Sequence, residues 1–99
     1  MVQLIGTLSA PGTIVVPKVQ RYEHHKIYLK VSNYTTTITV VVEDVSLGEA
    51  YPVDLHSSGT YTITANGTYA YQYENARCDD LRINLSGGSA TVEVFYNGW

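Results

Sequence analysis

The sequence predicts an all-β protein, an antiparallel two-sheet β-sandwich of immunoglobulin-like or jelly-roll type, and three observations predict it. Apolar and polar residues alternate with period two through most of the chain, as where Leu81, Ile83 and Leu85 alternate with Arg82 and Asn84. Turn signals recur between these runs, the plainest being Asn66-Gly67 and Gly87-Gly88. Nowhere do apolar residues repeat at helical spacing. Together these give about eight short strands in a single domain over residues 1–99.

Each element follows from local chemistry. Val2, Leu4 and Leu8 alternate weakly with Gln3 and Thr7, and residues 1–12 suit an N-terminal β-arm. Ser9-Ala10-Pro11-Gly12 is a turn, because proline presets φ and glycine accepts a positive one. Thr13 to Val16 is extended until Pro17, which has no N–H to give a ladder. Lys18 to Lys26 is the most polar segment and reads as a loop or edge. Ile27, Leu29 and Val31 then alternate with Tyr28 and Lys30 as a strand, and Ser32-Asn33-Tyr34 turns the chain.

Thr35 to Glu43 reads as the longest strand, and Glu43 to Ser58 as a long connection punctuated by Gly48 and Pro52. Thr60 to Ala65 and Thr68 to Tyr73 flank Asn66-Gly67, the strongest two-residue hairpin signal in the chain. In the last third, Leu81 to Leu85 and Ala90 to Tyr96 flank Ser86-Gly87-Gly88-Ser89 and read as a second hairpin with one buried face.

Composition narrows the function. The net charge of −3 offers no basic field for nucleic acid or an anionic membrane. No run approaches the roughly 20 apolar residues of a bilayer-spanning helix. The start of the chain lacks the basic and apolar regions of a signal peptide. Cys78 is the single cysteine, so no internal disulfide can form and synthesis in a reducing cytosol is compatible. Nine tyrosines against one phenylalanine suit thin, interface-rich β-structure, in which many rings keep their hydroxyls wet.

No residue pattern carries catalytic chemistry. There is no G-x-S-x-G, H-E-x-x-H or phosphate-cradling glycine loop, and loop acids form no defined carboxylate pair. His24 and His25 would point to opposite faces of a strand and read as solvated loop residues, with His56 distant. Asp79, Asp80 and Glu74 are oxygen-rich but lack the D-x-D-x-D-G spacing of a calcium loop. Cys78, beside Arg77 only, reads as a buried or semi-buried bystander. The expectation is no enzyme, no metal and no cofactor.

Two aromatic features point to binding. Tyr69, Tyr71 and Tyr73 share one face of a strand. Exposed, they would stack sugar rings as in a carbohydrate-binding module; the apolar side they define favours burial in the core or between subunits. Phe95 falls on the face opposite Val92, Val94 and Tyr96, close to the terminal Trp99, which suggests a contact surface.

The segments Gly59-Thr60-Tyr61-Thr62-Ile63, Asn66-Gly67-Thr68-Tyr69, Cys78-Asp79-Asp80-Leu81-Arg82-Ile83 and Gly87-Gly88-Ser89-Ala90-Thr91-Val92-Glu93-Val94 carry a resemblance. They resemble the C-terminal half of small β-sandwich virion proteins of tailed bacteriophages. The resemblance implies a structural role without catalytic residues: a homo-oligomeric capsid decoration (cement) protein on the virion surface, or another small head, tail or fibre component. It implies synthesis in the host cytoplasm, self-association with a trimer favoured, and a major capsid protein as partner, with no nucleic acid and no membrane. Val2, Leu4, Ile5, Phe95 and Trp99 would then lie at oligomer or capsid contacts. The alternative is a carbohydrate-binding module that takes a glycan on Tyr69, Tyr71 and Tyr73 or on Trp99.

Overall fold

The structure, a computed structural model, describes residues 2–52, 60–74 and 77–99. Among them lie seven strands and no helix: β1 (Gln3–Val16), β2 (His25–Ser32), β3 (Ile38–Ser46), β4 (Glu49–Pro52), β5 (Thr60–Ile63), β6 (Gly67–Tyr73) and β7 (Asp80–Gly98). The all-β antiparallel class is therefore what the alternating residues dictate.

The arrangement differs from a two-sheet sandwich of eight short strands. All seven strands join one sheet in the order β4-β3-β7-β2-β6, with β1 on β7 and β5 on β3. Residues 80–86 of β7 pair with β3 and residues 91–98 pair with β2, while β1 follows both halves along the other edge. Hydrogen bonding thus runs through the place where a sandwich would have a gap. The sheet curls into a half-barrel instead.

The bend sits at the glycine pair. Gly87 and Gly88 have φ of 75° and 58°, and the register of β1 on β7 slips there, from Ala10 opposite Ala90 to Gly12 opposite Leu85. The two alternating runs of the last third are consequently not a hairpin. They are the two halves of one bent strand, and each pairs with β1 rather than with the other. The bend is sharp: a β-carbon on Gly6 would lie 3.0 Å from Ile14 Cδ1, although a straight strand would separate those residues by about 26 Å.

Asn66-Gly67 is not a hairpin turn either. β5 belongs to the half that holds β3, β6 to the half that holds β2, and the two do not pair. Asn66 serves the bend through its side chain, whose Oδ1 accepts a hydrogen bond from the Tyr34 backbone N–H at 2.9 Å. The Thr35 N–H donates to the Ser89 carbonyl at 3.0 Å, and its hydroxyl donates to the same oxygen at 3.2 Å. The links after β2 and β5 therefore cross between halves beside the glycine pair.

A hairpin does form where a connection is expected. β3 continues to Ser46, turns through Leu47 (φ 56°) and Gly48 (φ 75°), and pairs with β4. β5 lies along the same edge of β3. At the N-terminus, residues 3–12 belong to β1 and pair with β7.

One apolar cluster fills the half-barrel. Ile27, Leu29 and Val31 of β2 meet Ile38, Val40 and Val42 of β3, together with Leu81, Ile83, Leu85, Ala90, Val92 and Val94 of β7. Residues 17–24 contain no strand and cap the end away from the bend. The Val19 N–H donates to the Asp79 carbonyl (2.9 Å), the Lys18 N–H to Asp80 Oδ1 (2.9 Å), and the Arg77 guanidinium to Glu23 Oε1 (2.7 Å).

Candidate functional site

Because the inward face of β7 carries Val92, Val94 and Tyr96, Phe95 must stand on the outward face. The register then builds a row across four strands. Leu4 of β1 lies opposite Phe95, Phe95 opposite Tyr28 of β2, and Tyr28 opposite Ala70 of β6. Three strand spacings make this row about 14 Å long. Leu4 is 50% exposed and Val2, just before it, 49%. Phe95 and Tyr28 are half-buried by their neighbours, and Lys26 Nζ sits 5.2 Å from the Tyr28 ring centroid. The next row pairs Glu93 with Lys30, so an apolar stripe borders a charged one. Among the described residues β1 pairs with β7 alone, which leaves its outer edge open beside Leu4.

The other residues proposed for contacts lie elsewhere. Ile5 falls at the irregularity between Leu4 and Gly6 and packs against the core. Trp99 is 48% exposed and stacks on His24, with ring centroids 5.4 Å apart. Sequence reasoning missed Leu47, which is 91% exposed at a positive φ in the β3–β4 turn. The signal was present in a Leu-Gly pair between two extended runs, but leucine is not a residue such a turn calls for.

Tyr69 and Tyr71 of the tyrosine stripe belong to the inner face of β6. Tyr71 is buried, with its ring centroid 4.1 Å from that of Tyr61, and Tyr69 packs against the core. Burial, then the neighbouring Tyr61, pushes the Tyr71 hydroxyl up to about 12. The side chain of Tyr73 lies outside the described residues. Tyr71 therefore offers no platform to a sugar.

His25 is not solvated. As the first residue of β2 it points inward, is fully buried, and its Nδ1 lies 2.5 Å from the Tyr96 hydroxyl. Burial, then the nearby Cys78, raises the Tyr96 pKa, so that hydroxyl keeps its proton. His24 takes the other face, and His56 lies outside the described residues. Asp79 and Asp80 are engaged in tethering residues 18 and 19, as described above. Among the described residues no three His, Cys, Asp or Glu side chains gather as a metal site.

On the outward face of the other half, the polar side chains at its centre bond one another. Glu43 Oε1 accepts from Arg82 Nε at 3.0 Å and from Asn84 Nδ2, and Thr13 donates to Asn84 Oδ1 at 2.9 Å. The Arg82 hydrogen bond holds the Glu43 carboxyl below its usual pKa against the opposing effect of burial. Val15, opposite Arg82, is 43% exposed on that face as a single apolar side chain, whereas around Phe95 apolar residues align on adjacent strands. Compared with known protein families and with curated proteins, the chain matches none.

Proposed function

We propose that this protein is a non-enzymatic assembly protein whose outward Leu4–Phe95–Tyr28 face docks against other copies of itself and a larger surface. The row's in-register continuity carries the reading: Leu4, Phe95, Tyr28 and Ala70 align on adjacent strands beside an open β1 edge. A shared apolar face of this kind gains by exclusion from water, and repeated weak contacts add up in a symmetric lattice. The resemblance of residues 59–96 to phage virion proteins supports the class: a homo-oligomeric capsid decoration protein, trimeric, bound to a major capsid protein on the virion surface.

Light scattering coupled to size exclusion tests this directly. The wild-type chain runs as an oligomer at about 100 μM, the range in which modest interfaces associate, and Phe95→Lys runs as a folded monomer. A wild-type monomer at that concentration that also fails to bind capsids overturns the reading. Of the platform residues whose side chains are described, the carbohydrate-binding alternative keeps the exposed Trp99 and loses Tyr71 to the core.

A further inference from the structure

We propose that the cleft at the capped end of the half-barrel binds a small organic carboxylate with a flat apolar body. The cleft lies inside the curl, away from the outward row, and does not depend on the assembly reading. It has a volume of about 310 Å³. That is room for a ring bearing a carboxylate.

The lining divides by chemistry. Ile5, Val19, Tyr22 and Tyr96 form apolar and aromatic walls, while Lys18 and Arg21 supply positive charge, and no lining residue is acidic. The chain has only six Lys and Arg residues and a net charge of −3. Two of the six at one small cleft of an acidic protein therefore mark it out. The Arg21 guanidinium carbon lies 4.9 Å from the Tyr22 ring centroid. Its planar fork is thus placed at the rim of the aromatic wall, where a carboxylate can take two N–H donors at once while the apolar body of the ligand lies among Ile5, Tyr22 and Tyr96.

The site is also preformed. Lys18 holds φ at 59°, a conformation that disfavours side chains, and its N–H is fixed to Asp80 Oδ1. The Tyr22 N–H donates to the Val19 carbonyl at 3.0 Å, so both wall residues belong to one closed turn. Gly98 lets Tyr22 lie against β7, because a β-carbon there would come within 2.6 Å of Tyr22 Cδ2. The backbone of the cleft is thus fixed before a ligand arrives, and the exposed Lys18 and Arg21 side chains are what binding orders.

Nuclear magnetic resonance titration of the ¹⁵N-labelled full chain with benzoate, benzamide and inorganic phosphate tests the proposal. Benzoate is expected to shift the amides of Val19, Tyr22 and Gly98 saturably, with a Kd of about 0.1–1 mM for so small a ligand. Benzamide and phosphate should each bind at least about tenfold more weakly, one lacking the charge and the other the apolar body. Arg21→Gln, which keeps the stem over Tyr22, should weaken benzoate about tenfold without changing the melting temperature. The proposal fails if benzoate does not saturate by about 20 mM, if benzamide or phosphate binds equally well, or if a folded Arg21→Gln protein binds as the wild type does. If Arg21→Gln does not fold, Lys18→Gln takes its place with the same expectations.

Discussion

Gly88 runs so close to the Thr36 carbonyl oxygen that no β-carbon fits between them, and Ile38 Cγ1 would crowd it from a second side at 2.9 Å. With φ at +58°, the residue is constrained twice, by its own backbone and by its neighbours. The contact lies where the sheet bends. Residues 33–37 link β2 to β3 across the bend, and Thr35, Thr36 and Thr37 rest on β7 where it turns.

Gly88→Ala is therefore expected to destabilise the protein severely, by about 2–4 kcal/mol, since backbone strain and overpacking act together. For a domain of this length that lowers the melting temperature by about 10–20 °C. Gly48 provides the comparison: its φ is +75° but nothing lies within 4 Å of its β-carbon position. Gly48→Ala should cost only the backbone strain, about 1–2 kcal/mol. Thermal melts followed by circular dichroism distinguish the two, and equal losses would show that packing at the bend contributes nothing.

The glycine pair also shows how far the sequence could be read. Period-two alternation on both sides of it identifies extended backbone, and both runs are extended. Alternation does not say which strand pairs with which. That depends on β1, whose Thr13 bonds Asn84 across 71 positions of sequence, and no local pattern encodes so distant a partner. The same limit explains Asn66-Gly67, where a strong local turn signal serves a crossing between halves. For the candidate sites, Phe95 was legible because face assignment is local. The capped cleft was not, because Tyr22, Tyr96 and Ile5 meet only once the sheet has curled.

Tyr96→Phe should cost about 1–3 kcal/mol. The substitution keeps the ring in place and removes the hydroxyl that bonds His25 Nδ1, a fully buried group, and losing a buried polar partner carries that desolvation penalty. Urea denaturation at neutral pH measures it. A loss below about 0.5 kcal/mol, the scale of surface changes, would mean the pair carries no net stability.

Acid should weaken the protein partly through Glu43. Its carboxyl titrates below the ordinary value of 4.5, chiefly because Arg82 donates to it, with burial opposing. A depressed pKa means the contribution is complete above pH 4.5 and is lost as the pH falls through the lower folded value. Arg82 is partly exposed, so screening limits the pair to about 1 kcal/mol. Glu43→Gln should thus be less stable than wild type at pH 7 and lose less on acidification to about pH 3. Urea midpoints at the two pH values decide it; parallel losses in both proteins would remove Glu43 from the acid response.

Cys78 should be inert in the folded protein. It is 4% exposed, and burial, followed by the negative charges of Asp44, Asp79 and Asp80, pushes its thiol up to about 12. Thiolate is the reactive form, so at pH 8 the folded protein carries almost none of it, and burial then restricts access further. The reagent 5,5′-dithiobis(2-nitrobenzoate) should therefore label the native chain only at the rate of opening and label it at once in denaturant. Opening of residues 77–80 frees the Val19 and Lys18 tethers as well, because Asp79 and Asp80 hold them. A carboxylate seated in the capped cleft should slow labelling in proportion to its occupancy, and a rate indifferent to ligand would separate opening of the cap from exposure of the thiol.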